Sequence, residues 1–176
     1  MKKNFIIDIL ICAKENSKGL YKKNTKLLKG KPMICWTFEQ ANKIKKIRNI
    51  YVSTDSTYIK KLAIEHSIKV PYMRPKNLCV SKSREWDVWK YHLNKIYKDS
   101  ENIAPNAILI LPATCPNRNL QDVQGVINKF KKSKFDAMVT VTESKESPYF
   151  NFVKKKNSKN SEIVKFSKEK FCNRQE

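Results

Sequence analysis

Short apolar runs rich in β-branched residues recur along the chain, each followed by a stretch whose apolar residues repeat at helical spacing. The first run, Phe5 to Ala13 (FIIDILICA), reads as a buried strand leading into a polar loop, Lys14 to Asn24. Gly30-Lys31-Pro32 then predicts a turn, with Pro32 near the start of a helix carrying Ile34, Trp36, Phe38 and Ala41 to about Lys45. Asn49 to Ser53 reads as a second strand, and Ser53-Thr54-Asp55-Ser56 offers caps for a helix ending near His66. A brief strand over Lys69 to Tyr72, a helix over Arg84 to Tyr97, a buried strand over Ala107 to Leu111, a helix over Asp122 to Lys132 and a strand over Asp136 to Val141 complete the pattern. Such alternation predicts an α/β fold of three layers (α/β/α), with a mostly parallel sheet covered by helices on both faces. After Pro148 the pattern decays into Lys, Asn and Ser with one weak strand near Ile163 to Phe166. The expected division is therefore an α/β domain over 1–150 and a C-terminal or flap segment over 151–176.

Composition narrows the partners. No apolar run approaches the roughly 18 residues that span a bilayer, and the first is interrupted by Asp8, so no membrane span is expected. The five cysteines are widely spaced with no CxxC pair, which argues against a disulfide framework or a zinc site and suits the cytoplasm. The 37 Lys+Arg against 16 Asp+Glu leave a formal charge of +21, a field that attracts polyanions. The excess is almost all Lys, scattered along the chain, whereas planar readout of phosphate or guanine favours Arg. With no nucleic-acid-binding signature present, a basic nucleic-acid binder is only the third reading.

In open α/β sheets a ligand sits outside the carboxyl ends of the strands, and the first strand-to-helix loop is the usual phosphate cradle. Here that loop carries Ser17 and Gly19, which permit converging backbone N–H groups, and the cations Lys14, Lys18 and Lys23. It is neither a P-loop nor a dinucleotide fingerprint, because GxxxxGK[ST] and GxGxxG are both absent.

The pattern Ala13-Lys14-x-x-Ser17-Lys18-Gly19-Leu20-x-x-Lys23-Asn24, followed by Gly30-Lys31-Pro32-Met33-Ile34, resembles the signature loop of the acylneuraminate cytidylyltransferases. Further matches follow in the family's order. They are Val52-Ser53-Thr54-Asp55-Ser56, Arg74-Pro75-x-x-Leu78, Asp87-Val88 leading to His92, Leu111-Pro112-Ala113-Thr114-Cys115-Pro116-Asn117-Arg118, Ser147-Pro148-Tyr149 and Arg174-Gln175. The resemblance to the KDO cytidylyltransferases is weaker around Gly19 and Asn24.

The resemblance implies a nucleotide-diphospho-sugar transferase-like (Rossmann-like) fold and a nucleotidyl transfer. A hydroxyl of a sialic acid, or of a similar nonulosonic acid such as legionaminic acid, attacks the α-phosphate of CTP and pyrophosphate leaves. It also implies roles. Lys14, Ser17, Lys18 and Lys23 would hold the triphosphate, Lys14 and Lys23 acting in catalysis as charge stabilisers; Asn24 and Arg74 would contact the nucleoside; Thr114, Arg174 and Gln175 would meet the sugar acid. The family uses Mg²⁺ held by late aspartates and is homodimeric, and no equivalent of those aspartates or of the dimerising segment is found before Glu176. This chain is therefore expected to be a truncated or split member, either active or binding CTP with little turnover, with no metal ligands of its own assigned. Two departures bear on the site: Lys14 stands where the family usually has Arg, and Pro112 replaces a Gln that contacts sugar. His66, His92, Asp55, Asp87, Asp122 and Asp136 are expected to be structural or surface groups.

Overall fold

The computed structural model describes residues 5–17, 19–98, 102–141, 153–155 and 161–163. They fall in two compact units, Met1–Asp136 and Ala137–Glu176.

In the first unit, β1 (Ile7–Cys12) is followed by the loop and one 3₁₀ turn at Lys23–Thr25. A small hairpin comes next, β2 (Leu27–Leu28) and β3 (Lys31–Pro32), joined through Lys29 (φ 49°) and Gly30 (φ 83°). Two successive positive φ values match the twist of a two-residue hairpin, and Gly30 adopts its value without Cβ strain. Helix α1 (Met33–Lys43), strand β4 (Asn49–Ser53), helix α2 (Thr57–Glu65), helix α3 (Glu85–Leu93), strand β5 (Ala107–Ile110) and helix α4 (Leu120–Lys132) complete the unit. The sheet has the order β4-β1-β5 and is parallel throughout, with Ile9 opposite Ile50 on one side and Leu109 on the other.

Period-two alternation along β1 divides the core. Ile7, Ile9 and Ile11 face α1, α2 and α4, packing with Ile34, Phe38, Ile59, Leu62, Val123 and Ile127. Leu10 faces the other way, onto Tyr51 and Ile96, with Trp89 of α3 and Tyr97 alongside. Helices thus cover both faces, as the alternation of elements predicts.

Asp8, on that second face, is fully buried. Arg48 grips it with two bonds, Nε to Oδ1 at 3.0 Å and NH2 to Oδ2 at 2.6 Å, while the Tyr97 hydroxyl and the Asn49 N–H donate at 2.6 and 3.0 Å. Burial alone would raise this carboxyl; the hydrogen bonds from Arg48, Tyr97 and Asn49 hold it below the ordinary carboxylate range.

Local differences from the sequence expectation have physical causes. Residues 69–73 make only two isolated parallel bridges to the outer edge of β4, Tyr51 to Lys69 and Thr54 to Met73, because Pro71 between them has no N–H to give a ladder. The helix expected to run to Tyr97 changes after Leu93 into one π-helical turn, Asn94–Lys98. Of the caps offered by Ser53 to Ser56, it is Ser56 that closes α2, its Oγ accepting from the Ile59 N–H at 3.4 Å. Residues 136–141 pair with no strand among the described residues, and Val139 and Val141 stand exposed; alternation without a neighbouring edge does not make a strand. In the second unit the described residues form an antiparallel pair, β6 (Val153–Lys155) with β7 (Ser161–Ile163). The strand expected near Ile163 to Phe166 is thus met only at its first residue, the remainder lying outside the described residues.

Candidate functional site

Outside the carboxyl ends of the sheet lies a cavity of about 290 Å³. Its walls come from three loops of the first unit. The β1 loop contributes Lys14, Ser17, Lys23 and Asn24; the segment between α2 and α3 contributes Arg74, Leu78, Val80 and Ser83; the loop after β5 contributes Pro112, Ala113 and Thr114. Cys12 of β1 and Glu85 and Val88 of α3 complete the lining.

The β1 loop is held at several points. The Ala13 N–H donates to Ser53 O at 3.0 Å, and the Glu15 N–H donates to Asp55 Oδ1 at 2.8 Å. Buried Asn24 donates from Nδ2 to Lys14 O at 2.9 Å, closing the loop across ten residues. Its Oδ1 accepts from no described residue and is the amide atom free for a ligand. Lys22, in the left-handed region at φ 50°, lies 3.8 Å from Glu15, whereas Lys14 and Lys23 make no ion pair among the described residues. Two uncompensated ammonium groups on one wall make it a favourable place for phosphate oxygens.

Arg74 is delivered by the bridge beside β4, its N–H donating to Thr54 O at 2.7 Å. Its buried guanidinium donates from Nε to Ser53 Oγ at 3.1 Å and from NH2 to Ser53 O. Among the described residues it too makes no ion pair, its printed side-chain bonds going to the neutral oxygens of Ser53. The loop of Thr114 is stapled from outside the cavity: Arg118 donates to Pro112 O at 2.7 Å and to Gln40 Oε1 at 2.9 Å.

Six of the nine residues singled out from the sequence (Lys14, Ser17, Lys23, Asn24, Arg74 and Thr114) therefore line one cavity. Lys18, Arg174 and Gln175 lie outside the described residues, as do Ser147, Pro148 and Tyr149. The sequence reading missed Cys12, Ser83 and Glu85. Glu85 sits among charges that read as a solvated helix face, and no local signal set it apart from Asp87, which pairs with Arg84 at 3.2 Å. Cys12 is no nucleophile, because burial pushes its thiol up to about 12.

Mg²⁺, implied by the resemblance, finds little to bind here. Glu85 is the one carboxylate lining the cavity among the described residues, and these contain no group of three His, Cys, Asp or Glu side chains able to share an ion. One carboxylate beside two lysines and an arginine is not a divalent-cation site of its own.

The chain is 27% identical over 165 residues to the post-translational flagellin modification protein B of Campylobacter coli, covering 94% of this chain and 68% of that protein. It is 31% identical over 123 residues to the CMP-N,N'-diacetyllegionaminic acid synthase of Legionella pneumophila, covering 69% of this chain and 52% of that one. A solved CMP:2-keto-3-deoxy-manno-octonic acid synthetase complexed with CTP superposes with a TM-score of 0.58 at 20% identity, over 72% of this chain and 47% of that one, and shares the fold. The chain thus spans from about half to two thirds of the length of these relatives. Residues 9–176 match the profile of a family described as Cytidylyltransferase, and the chain belongs to the cytidylyltransferase family.

Proposed function

We propose that the chain is part of an enzyme of the N-acylneuraminate cytidylyltransferase type, which activates a sialic acid or a similar nonulosonic acid with CTP. In this reading a sugar hydroxyl oxygen bonds to the α-phosphorus, the bond from that phosphorus to the bridging oxygen of the β-phosphate breaks, pyrophosphate departs, and the hydroxyl proton passes to solvent. The observation that carries the reading is the cavity at the carboxyl ends of β1, β4 and β5. It gathers, from three separate loops, residues to which the resemblance gives triphosphate, nucleoside and sugar roles.

Such a transfer asks the protein mainly for alignment and for cations where charge develops. Lys14 and Lys23 are suited to stabilise the leaving pyrophosphate, with Ser17 and Lys18 as further triphosphate contacts. The Asn24 amide oxygen is an acceptor for a donor on the base or ribose, and Arg74 supplies donors to the nucleoside. Thr114 stands on the sugar side, and Arg174 and Gln175 are assigned to the sugar acid, the planar guanidinium being matched to a carboxylate. Mg²⁺ is assigned to the substrate's own phosphates and enters no step here. The Legionella relative's product is a CMP-linked legionaminic acid, which supports this class of acceptor. Among the described residues no helix is long and apolar enough to cross a membrane, and we place the reaction in the cytoplasm, where CTP is available.

Incubation with CTP, Mg²⁺ and either N-acetylneuraminate or N,N'-diacetyllegionaminate tests the reading. Release of pyrophosphate that depends on the sugar acid is the expected result. Binding of CTP without release would leave a nucleotide-binding chain, and absence of both would remove the reading.

A further inference from the structure

The loop that carries Thr114 runs from β5 to α4 and is poor in backbone donors. Pro112 and Pro116 bring no N–H to it, and within it the Cys115 N–H donates to Pro112 O at 3.3 Å. Side chains take up its carbonyls instead. Arg118 reaches back with NH2 to Pro112 O at 2.7 Å, Thr37 Oγ1 donates to Ala113 O at 3.5 Å, and Gln40 donates from Nε2 to Pro116 O and, at 3.4 Å, to Arg118 O. Arg118 NH1 closes the circuit on Gln40 Oε1 at 2.9 Å.

Thr37 and Gln40 stand three residues apart on α1, hence on one face of that helix, and Thr37 is fully buried. The Gln40 amide can face only one way. A guanidinium has donors alone, so the amide oxygen meets Arg118 NH1; carbonyls only accept, so the amide nitrogen meets those of Pro116 and Arg118. A lysine at 118 would bring a single ammonium where the planar fork now holds two separate oxygens. Arg118 makes no ion pair among the described residues, and its half-buried guanidinium is engaged by neutral oxygens, although burial disfavours its charge. A cation placed this way serves the loop rather than a neighbouring carboxylate.

We propose that Gln40 and Arg118 are positioning residues for the Thr114 wall of the cavity: by holding the carbonyls of Pro112, Pro116 and Arg118 they fix the stretch from Pro112 to Thr114 in place. Both act through the backbone, since neither lines the cavity, whereas Pro112, Ala113 and Thr114 do. Helix α1 is itself tied to the end of the lysine loop by the Met33 N–H, which donates to Lys26 O at 2.8 Å, so the clamp joins two walls of the cavity. The consequence for the sugar acid rests on the function proposed above; the clamp itself does not.

The test has a part without ligand and a part with substrates. In the unliganded wild-type protein, nitrogen-15 relaxation should give order parameters of about 0.85 for the amides of Ala113 to Cys115, and the Gln40 side-chain amide should be protected from solvent exchange. Gln40→Ala and Arg118→Lys should each lower those order parameters to about 0.6 or below, with the values along β1 unchanged. The kcat/KM for N-acetylneuraminate or N,N'-diacetyllegionaminate should then fall about five-fold or more, the worth of one hydrogen bond, while CTP, assigned to Lys14, Lys23, Asn24 and Arg74, binds as before. Because both side chains act on one loop, the double variant should be no worse than the poorer single one. A mobile wild-type loop, unaltered order parameters in both variants, an Arg118→Lys protein that matches the wild type, or CTP affinity falling in step with sugar-acid turnover would each overturn the proposal. Should the variants not fold, the Gln40 amide in the wild-type protein decides: protection supports the clamp, and exchange as fast as in a free amide overturns it. A wild-type chain without turnover counts against the proposed function, and the NMR measurements still decide this one.

Discussion

Lowering the pH from 7 to 5 destabilises the fold through His92. The ring is fully buried among Tyr51, Tyr72 and Tyr97. Loss of solvation pushes its pKa down to about 4, the charge of Asp8 opposing only in part. In the unfolded chain an imidazole takes up its proton near pH ~6.5. The unfolded state thus binds the proton first, so the stability that neutral His92 provides is whole above that pH and is lost as pH falls toward the folded value. The shift amounts to about 3 kcal/mol in full, of which about 2 kcal/mol is gone by pH 5. That is a large part of a typical net stability of about 5–15 kcal/mol. Asp8, whose carboxyl is held below its ordinary range, keeps its contribution in this window and loses it only in stronger acid. Urea melts followed by tryptophan fluorescence at pH 7, 6 and 5 should show the midpoint falling by roughly 1 M, since each molar of urea is worth about 1–3 kcal/mol. In His92→Gln the absolute stability shifts by an amount that does not matter here, and the decline between pH 7 and 5 should disappear. A variant that keeps the wild-type decline would refute the assignment.

Other consequences are as direct. Asp8→Ala leaves the Arg48 fork, the Tyr97 hydroxyl and the Asn49 N–H without their acceptor and should cost about 3 kcal/mol, read as a fall in the urea midpoint; an effect under about 1 kcal/mol would mean the network is dispensable. Lys14→Arg replaces a point charge with a fork able to hold two phosphate oxygens, and CTP affinity measured by calorimetry should rise severalfold; weaker binding would place Lys14 away from the phosphates. Asn24→Ala removes the bond to Lys14 O as well as a cavity acceptor, so it should lower both the melting temperature and CTP affinity, whereas a loss of affinity alone would deny its loop-closing role.

How far the sequence could be read depends on whether the information was local. The apolar run Phe5 to Ala13, interrupted only by Asp8, marks β1 as a buried strand, and the structure places it between β4 and β5. The lysine loop was legible because its residues lie together in the chain, and Arg74 and Thr114 because they match short motifs in order. What escaped was long-range. Asp8 reads as an interruption of an apolar run, and nothing near it signals partners 40 and 89 residues away in Arg48 and Tyr97. Pro71 limits residues 69–73 to single bridges, and Val139 and Val141 alternate without an edge to join. Glu85 enters the cavity because α3 starts beside the carboxyl end of β1, a placement that its charged neighbours disguise.

The claim on which the account rests is that the wall formed by Lys14, Ser17 and Lys23 holds the phosphates of CTP. Titration of CTP into the wild-type chain and into Lys23→Ala at low ionic strength tests it most directly. One saturable site is predicted, weakened about ten-fold or more by the substitution, as expected for loss of a charge-assisted contact, with the melting temperature unchanged. Equal affinity in the two proteins, or no saturable binding to the wild type, would contradict it.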